Sequence, residues 1–437
     1  MKTRLTTAAA LFLTAAAAAP ADAPVPSPLD LRAAVGYALL HNFSILQAKE
    51  TIRLEEGLVV QVRAQEIPNV SAQGQWQRND TSISQIYPPA NSFWNVGLKA
   101  TQNLFAGGGI HASIEGAKLN RDAAAFDLQT TIDAALLDVR TKFYNVILNR
   151  EKIGVEEENV KLYQHQLDDE KNQFESGSVS NFEVLRAKVA LANAQPNLIS
   201  ARNGYRIAIE QLRQSIGAPG SAPFPEVAGD LDVHVASFDA DTAIASAHEH
   251  RPELMRLSKL ESAGERAVTS ARAAYYPTVQ AFGGYQWDGF NYVTQTFGAP
   301  SSANGWLFGL QSSWAIFDGR ATSGRVSQAK SQLEQARLSR ATEELEIDVE
   351  VRQTLSTLQE AGELVTASQQ TVEQAEEALR LADAKFHAGS ATQLDVLTSQ
   401  VALEQAKTDK LSANYNYIVA VANVRKAIGL SDALVSP

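Results

Sequence analysis

The side chains of this chain that could do chemistry are few and poorly placed for it. His248 and His250 stand two apart in a helical stretch, so their imidazoles do not share a face, and no further donors lie close by in sequence to complete a metal site. Gly107-Gly108-Gly109 precedes a helix as phosphate loops do, but no Lys-Ser/Thr pair follows it. No Ser/His/Asp order and no working pair of carboxylates stands out. Cysteine is absent, which removes thiolate ligands, a Cys nucleophile, a disulfide framework and an N-terminal lipid-modified Cys. Two acids are better placed. Glu183 and Asp395 each open a helical segment after a glycine turn, where a carboxylate stabilises first-turn N–H groups. No catalytic residue, cofactor or metal ligand is expected.

Those two acids are equivalent because the chain is written twice. Phe174-Glu-Ser-Gly177-Ser-Val-Ser-Asn-Phe182-Glu183-Val184-Leu185 returns 212 residues later as Phe386-His-Ala-Gly389-Ser-Ala-Thr-Gln-Leu394-Asp395-Val396-Leu397. The same offset links Phe105 to Phe317 and Gly217 to Gly429. Upstream the register slips by three, matching His41 to His250 and Pro68-Asn-Val70 to Pro277-Thr-Val279. Two copies of one supersecondary unit are expected. The first repeat spans 24–217, with a helix, a β-hairpin over 68–105 and a helical hairpin over 110–217. A linker covers 218–238. The second repeat spans 239–430, with a helix, a β-hairpin over 277–317 and a helical hairpin over 320–429, and a tail covers 431–437.

Composition narrows what these units can be. Aromatic residues make up 7% of the 437 positions, and no proline lies between Pro89 and Pro196 or between Pro300 and Pro437. Long Ala/Glu/Gln/Leu-rich stretches without proline suit extended helices rather than compact α/β domains. A formal charge of −11 leaves no basic face for phosphates, so nucleic acid is not an expected partner. The basic start Met1-Lys-Thr-Arg4, a short apolar run and Ala21-Asp22-Ala23 read as a secretory signal peptide over 1–23. The other reading is a membrane anchor, for which the apolar run falls short of about 20 residues.

Each copy should open with one helix, Leu29–Glu66 or Asp239–Tyr275, ended by Pro68 or Pro277. Alternating segments follow. Val70, Ala72, Gly74 and Trp76 face away from Gln73, Gln75 and Gln77, and Trp94, Val96, Leu98 and Ala100 repeat the pattern. The second copy has Val279, Ala281, Gly283, Tyr285 and Trp287, then Trp306, Phe308, Leu310 and Trp314. Runs of about ten residues match tilted membrane-spanning strands, and Asn79–Ser92 and Asp288–Asn304 read as loops. All five tryptophans, Trp76, Trp94, Trp287, Trp306 and Trp314, fall in these segments, as the aromatic girdle of a membrane barrel requires. A soluble sheet packed on helices also alternates; the signal peptide, strand length and tryptophan clustering favour lipid. Four strands close no barrel, so other subunits must complete it, and a dimer or a trimer would serve.

Long helices, about Ile110 to Glu175 and Arg320 to Ala388, should then run roughly 100 Å at about 1.5 Å per residue. Each reverses at a glycine and returns as a shorter helix, about Asn181–Ile216 or Gln393–Ile428. A return helix and an opening helix, stacked end to end, nearly match one long helix.

This order resembles the TolC-like outer-membrane efflux protein family from about Leu29 to Leu430. The resemblance rests on Leu31-Arg-Ala-Ala-Val-Gly-Tyr-Ala-Leu-Leu-His-Asn42, Pro68, Pro277, Asn103-Leu-Phe-Ala-Gly107, Ile316-Phe-Asp-Gly319 and the paired Phe-x-x-Gly turns. It implies a homotrimer with a twelve-stranded barrel in outer-membrane lipid and a helical tube crossing the periplasm. It also implies a passive exit duct serving an inner-membrane pump through a periplasmic adaptor. The turns with Phe174, Gly177, Phe182, Gly389 and Leu394 would be the tip where the adaptor docks. Asp395, with Glu183 as its partner in the first repeat, matches an acidic gate position; capping of the return helices explains the same acids. Where relatives latch the closed tip with Tyr, Arg and a second acid, this chain has Phe386, Ala391 and Thr398. The latch should therefore be weaker or differently made. His387 beside the turn reads as a solvated histidine or a titrating neighbour of the gate. A periplasmic or secreted coiled-coil protein outside lipid is the competing reading.

Overall fold

The computed structural model describes residues 25–78, 80, 82, 90–220, 223–233, 236–292 and 301–430. The expected signal peptide 1–23 and the tail 431–437 lie outside the described residues. The first repeat comprises α1 (Leu31–His41), α2 (Phe43–Arg63), β1 (Asn69–Arg78), β2 (Ala90–Ala106), α3 (Gly109–Glu175) and α4 (Asn181–Ile216). The second comprises α5 (Ala240–His250), α6 (Pro252–Arg272), β3 (Thr278–Tyr292), β4 (Ser302–Ser313), α7 (Ala321–His387) and α8 (Gln393–Ala427). The fold is mainly helical with one sheet, as expected. The long helices α3 and α7 hold 67 residues each. Among the described residues no helix is long and apolar enough to cross a membrane.

The single opening helix expected in each repeat is broken, and at equivalent places. Asn42 leaves helical geometry with ψ 125°; its Oδ1 accepts from the N–H groups of Ser44 and Ile45, and its Nδ2 donates to the Ser215 carbonyl at 2.6 Å. One side chain therefore starts α2 and satisfies the end of α4. In the second repeat Pro252 forces Arg251 out of the helix, at ψ 120°. The buried Arg251 guanidinium then donates to Glu350 at 2.7 Å and to the Ala427 carbonyl at 3.2 Å. Different chemistry makes the same joint. Gly217 and Gly429 complete it at φ 75° and 71°, with no room for a side chain: a Cβ on Gly217 would overlap the His41 carbonyl. The joints set α4 end-on to α2 and α8 end-on to α6, so short helices form a strut beside each long one.

The described part of 218–238 is more than the linker expected from sequence. Leu29 pairs with Val227 in a parallel bridge, and Arg150 donates to the carbonyls of Val227 and Gly229 at 2.9 and 2.6 Å. Val227 and Leu231 join Leu29, Val35, Phe143, Ile147 and Leu212 in one apolar cluster at the level of the joint. Ile347, Val351, Val424 and Ile428 form the counterpart in the second repeat. Each large side chain fully buried there contributes about 1.5–3 kcal/mol.

The strands form one antiparallel sheet in the order β1-β2-β3-β4. The central pairing, β2 with β3, joins the two repeats, placing Val96 opposite Trp287 and Leu98 opposite Tyr285. These strands run to 17 and 15 residues, past the expected ends and into the stretches read as loops, because the pairing continues to Ala90 and Tyr292. The remainder of those loops, 79, 81, 83–89 and 293–300, lies outside the described residues. Gly107 leads into α3 at φ 58°, and a Cβ there would meet the Ala273 carbonyl oxygen at 2.5 Å. The second repeat uses Gly319 and the left-handed Arg320, at φ 72°, with the Asp318 carboxylate accepting from the Thr322 N–H at 2.7 Å.

Gly217→Ala should cost on the order of 3 kcal/mol or more, since the clash is with backbone. Gly177 has φ 78° but open space around it, so Gly177→Ala should cost only about 1–2 kcal/mol. Thermal unfolding of the two purified variants reads the difference, and equal losses would refute the joint.

Candidate functional site

The register separates the sheet into two faces. On one, Val70, Ala72, Gly74 and Trp76 lie opposite Ala100, Leu98, Val96 and Trp94, and the row continues through Trp287, Tyr285, Trp306, Phe308 and Leu310. The bulge between Asn103 and Phe105 keeps Phe105 opposite Val279 on this face. On the other face, Asn95 donates to Asp288, Gln286 Nε2 to Asp288 at 3.0 Å and Gln280 Nε2 to Asn103 at 3.2 Å. The Lys99 ammonium sits 5.7 Å from the Phe282 ring centre on the same side. Trp76, Trp306, Phe308 and Leu310 are all exposed, an apolar area too continuous for water. β1 and β4 each pair on one side only.

Four of the five tryptophans sit on this apolar face. Trp314 does not: it follows the end of β4, and its Nε1 donates to the Tyr275 carbonyl at 3.1 Å, anchoring sheet to helix. Alternation put it inside the strand because Phe308, Leu310 and Trp314 keep an even spacing after pairing has stopped at Ser313.

At the opposite end of the long helices, both reversals use the same hydrogen bonds. Gly177 N–H donates to the Phe174 carbonyl and Ser178 N–H to Gln173, at 2.9 and 2.8 Å; Gly389 N–H donates to Phe386 and Ser390 N–H to Lys385, both at 2.9 Å. With φ of 78° and 74°, both glycines occupy the left-handed position of a helix stop. Phe182 and Leu394, second in the return helices, are 66% and 59% exposed. Ala391 lies just before the Thr392 cap. Thr398 is exposed and donates to the Leu394 carbonyl of its own helix at 2.8 Å. The Phe386 ring meets His387 edge-on, and His387 Nδ1 donates to the Asp383 carbonyl at 2.9 Å.

The two equivalent acids take different partners. Asp395 closes a capping box, accepting from the Thr392 N–H at 2.8 Å and from its hydroxyl at 2.7 Å. These bonds hold its carboxyl below the usual aspartate range. Ser180 makes no such cap, and Glu183 instead pairs with Arg186 at 3.2 Å. The histidines singled out in the sequence also part company: His248 Nε2 lies 2.7 Å from Asp348, and His250 Nδ1 donates to the Ser246 carbonyl at 3.0 Å.

Sequence reading passed over Glu170 and Gln393. Gln393 Nε2 donates to Glu170 Oε1 at 2.7 Å, joining α3 to α8 close to the tip, with both residues buried. Burial first, then the Glu183 charge, push the Glu170 carboxyl above the ordinary glutamate range, and Arg186 opposes them. Tyr163, Leu167 and Glu170 step by four and three along α3, so the apolar stripe itself pointed to Glu170. Beside it Tyr163, Leu167, Ala187 and Leu191 pack together, with Leu397 of α8 against them.

The sequence profile of the outer membrane efflux protein family matches residues 34–218 and 243–430, one segment in each repeat. The chain is 24% identical over 319 residues to the outer membrane protein TolC of Escherichia coli, covering 69% of this chain and 62% of TolC. It is 24% identical over 311 residues to the alkaline protease secretion protein AprF of Pseudomonas aeruginosa, covering 68% and 62%. The match thus spans less than two thirds of either relative. The fold superposes on the CmeC outer membrane channel of Campylobacter jejuni with a TM-score of 0.79 at 15% identity, covering 92% of this chain and 87% of that one.

The depressed Asp395 carboxyl has a definite pH signature. Its contribution to the start of α8 is complete above the unfolded aspartate pKa and is lost as pH falls through the lower folded value. Asp395→Asn should remove that acid limb from the amide hydrogen exchange of residues 393–396. An unchanged acid limb would exclude the capping role.

Proposed function

The chain belongs to the outer membrane efflux protein family, and from that we propose that it is the passive exit duct of a tripartite efflux or type I secretion assembly. Its place is the outer membrane. Three copies, each giving four strands, close a twelve-stranded barrel set on a tube of helices in the periplasm. The duct transports and does not catalyse; an inner-membrane pump drives it through an adaptor.

The observation that carries this reading is the sheet, with one continuous apolar face, one mainly polar face that also carries Phe93, Phe282 and Phe290, and an unpaired edge at each side. Lipid tolerates such a sheet only when the edges close on other copies. The polar face then lines the lumen, and tryptophans sit on the lipid side. Trp76, Trp94, Trp287 and Trp306 form the girdle, while Trp314 braces the base of the barrel.

At the other end, the exposed Phe182 and Leu394 beside Gly177 and Gly389 form the surface that meets the adaptor. Glu183 and Asp395, repeated by the threefold axis, place rings of acid near the constriction, which favour cations. Phe386 has no hydroxyl and Ala391 no guanidinium, so neither supplies a polar latch to a neighbour. A low barrier to opening follows.

Outer-membrane fractionation with native mass and planar-bilayer recording tests the assignment. A trimer that conducts without adaptor is expected. Soluble periplasmic release would overturn the duct, and a channel fully shut until adaptor is added would overturn the weak latch. The docking end has its own test in Gly389→Val, which strains a left-handed residue in open space. Trimers should reach the membrane at normal levels while export falls close to background; unchanged export would remove this turn from the docking surface.

A further inference from the structure

Glu170 and Gln393 meet with one hydrogen bond made and one missing. Glu170 is 3% exposed and Gln393 4%, and the amide Nε2–H donates to Glu170 Oε1 at 2.7 Å. The other two oxygens of the pair, Glu170 Oε2 and Gln393 Oε1, are buried without a hydrogen-bond partner among the described residues. With the carboxylate ionised both are acceptors, so neither can satisfy the other. A proton on Oε2 changes that. The acid O–H becomes a donor for the orphan amide oxygen, and acid and amide close a ring of two hydrogen bonds. The proton comes from water, and no bond between heavy atoms forms or breaks.

We propose that Glu170 is protonated in this arrangement and that the Glu170–Gln393 acid–amide pair is a proton-dependent tie between the two helical hairpins. The surrounding charges fit a switch. On α3, Asp169 adds repulsion to an ionised Glu170; on α4, Glu183 does the same and Arg186 opposes both. Arg186 is committed through Nη1 to Glu183, and its Nη2 is buried with no partner among the described residues. On α8, Asp395 is engaged by Thr392. When Glu170 ionises, its orphan oxygen has no donor on α8, and the available cation is Arg186 on α4. Loss of the proton therefore favours contacts within the first hairpin over contacts between hairpins. Because burial holds the proton on Glu170 more tightly than water would, the tie is complete in acid and weakens as pH rises through the raised value. An effect on conductance rests on the duct reading above; the tie itself does not.

The full-length protein in lipid tests it by two readouts that need no conduction. Infrared difference spectra across a pH titration should show a protonated carboxylic C=O band that Glu170→Gln removes. The native sequence has no cysteine, so spin labels at Lys171→Cys and Ala402→Cys, in labelled chains diluted with unlabelled ones, report the α3–α8 separation within one chain. That separation should lengthen with rising pH in the parent, stay short throughout in Glu170→Gln, whose amide supplies the missing donor, and stay long in Gln393→Leu. The absence of a Glu170-dependent band, or a pH-dependent separation surviving in Glu170→Gln, would overturn the proposal. Either failure leaves the duct assignment standing, and a non-conducting trimer leaves the tie standing.

Discussion

A strand in lipid needs every backbone N–H and C=O paired within protein, and this chain brings only four strands with two open edges. Much of the architecture answers that constraint. The central β2–β3 pairing lets the two repeats share one sheet, so the copies cannot separate as independent domains. Alternation sorts the side chains into an apolar and a polar face. Within the helical part, the repeat supplies two struts and two long helices per chain, which in the proposed trimer give a near-sixfold tube from a threefold axis.

A sheet shared by two repeats demands that the helices below it hold a fixed length. The joints do this. Asn42 and Arg251 each stop one helix, start the next and bond the end of a return helix. The joint in the first repeat is neutral and that in the second is a buried guanidinium with acid partners, yet Gly217 and Gly429 pack against them in the same way. What is duplicated is the geometry of a backbone end meeting a backbone break. Apolar clusters around each joint give it stability, and the long hairpins project from that level with thinner packing towards the tip.

Punctuation and period made most of this legible. The reversals were readable because a left-handed helix stop needs glycine, and the strands because alternation survives both copies. The breaks at Asn42 and Arg251 were not, since a helix capped in mid-course keeps its apolar period on both sides. Pro252 was a visible signal for one of them and Asn42 only in retrospect. The segment 218–238 reads as a linker because polar and turn residues dominate, while Val227 and Leu231 owe their burial to Phe143 and Ile147 on a helix some 80 residues earlier in the chain. The pairing of Glu170 is silent in the sequence for a related reason: its partner lies more than 200 residues away, at the first position of α8.

The two hairpins are alike in backbone and unlike in charge, and the unlikeness bears on how a closed tip could move. Asp395 is spent inside α8, fastening its own first turn through Thr392. Glu183 caps nothing and holds Arg186 on the same helix. The second hairpin therefore starts its return helix rigidly and carries the amide that reaches across to Glu170. The first keeps one cation, Arg186, and two acids, Glu183 and Asp169, within reach of that contact. A duplicated ancestor with identical turns would have bound its hairpins to each other and to themselves by equal chemistry, leaving no preferred seam. Divergence at Glu183 against Asp395 and at Asn181 against Gln393 breaks that degeneracy. It places a buried polar contact between hairpins at one pair beside the tip, with the surface pair Lys407–Glu158 joining α8 to α3 further up at 3.1 Å, so the seam next to the turns rests on that buried pair.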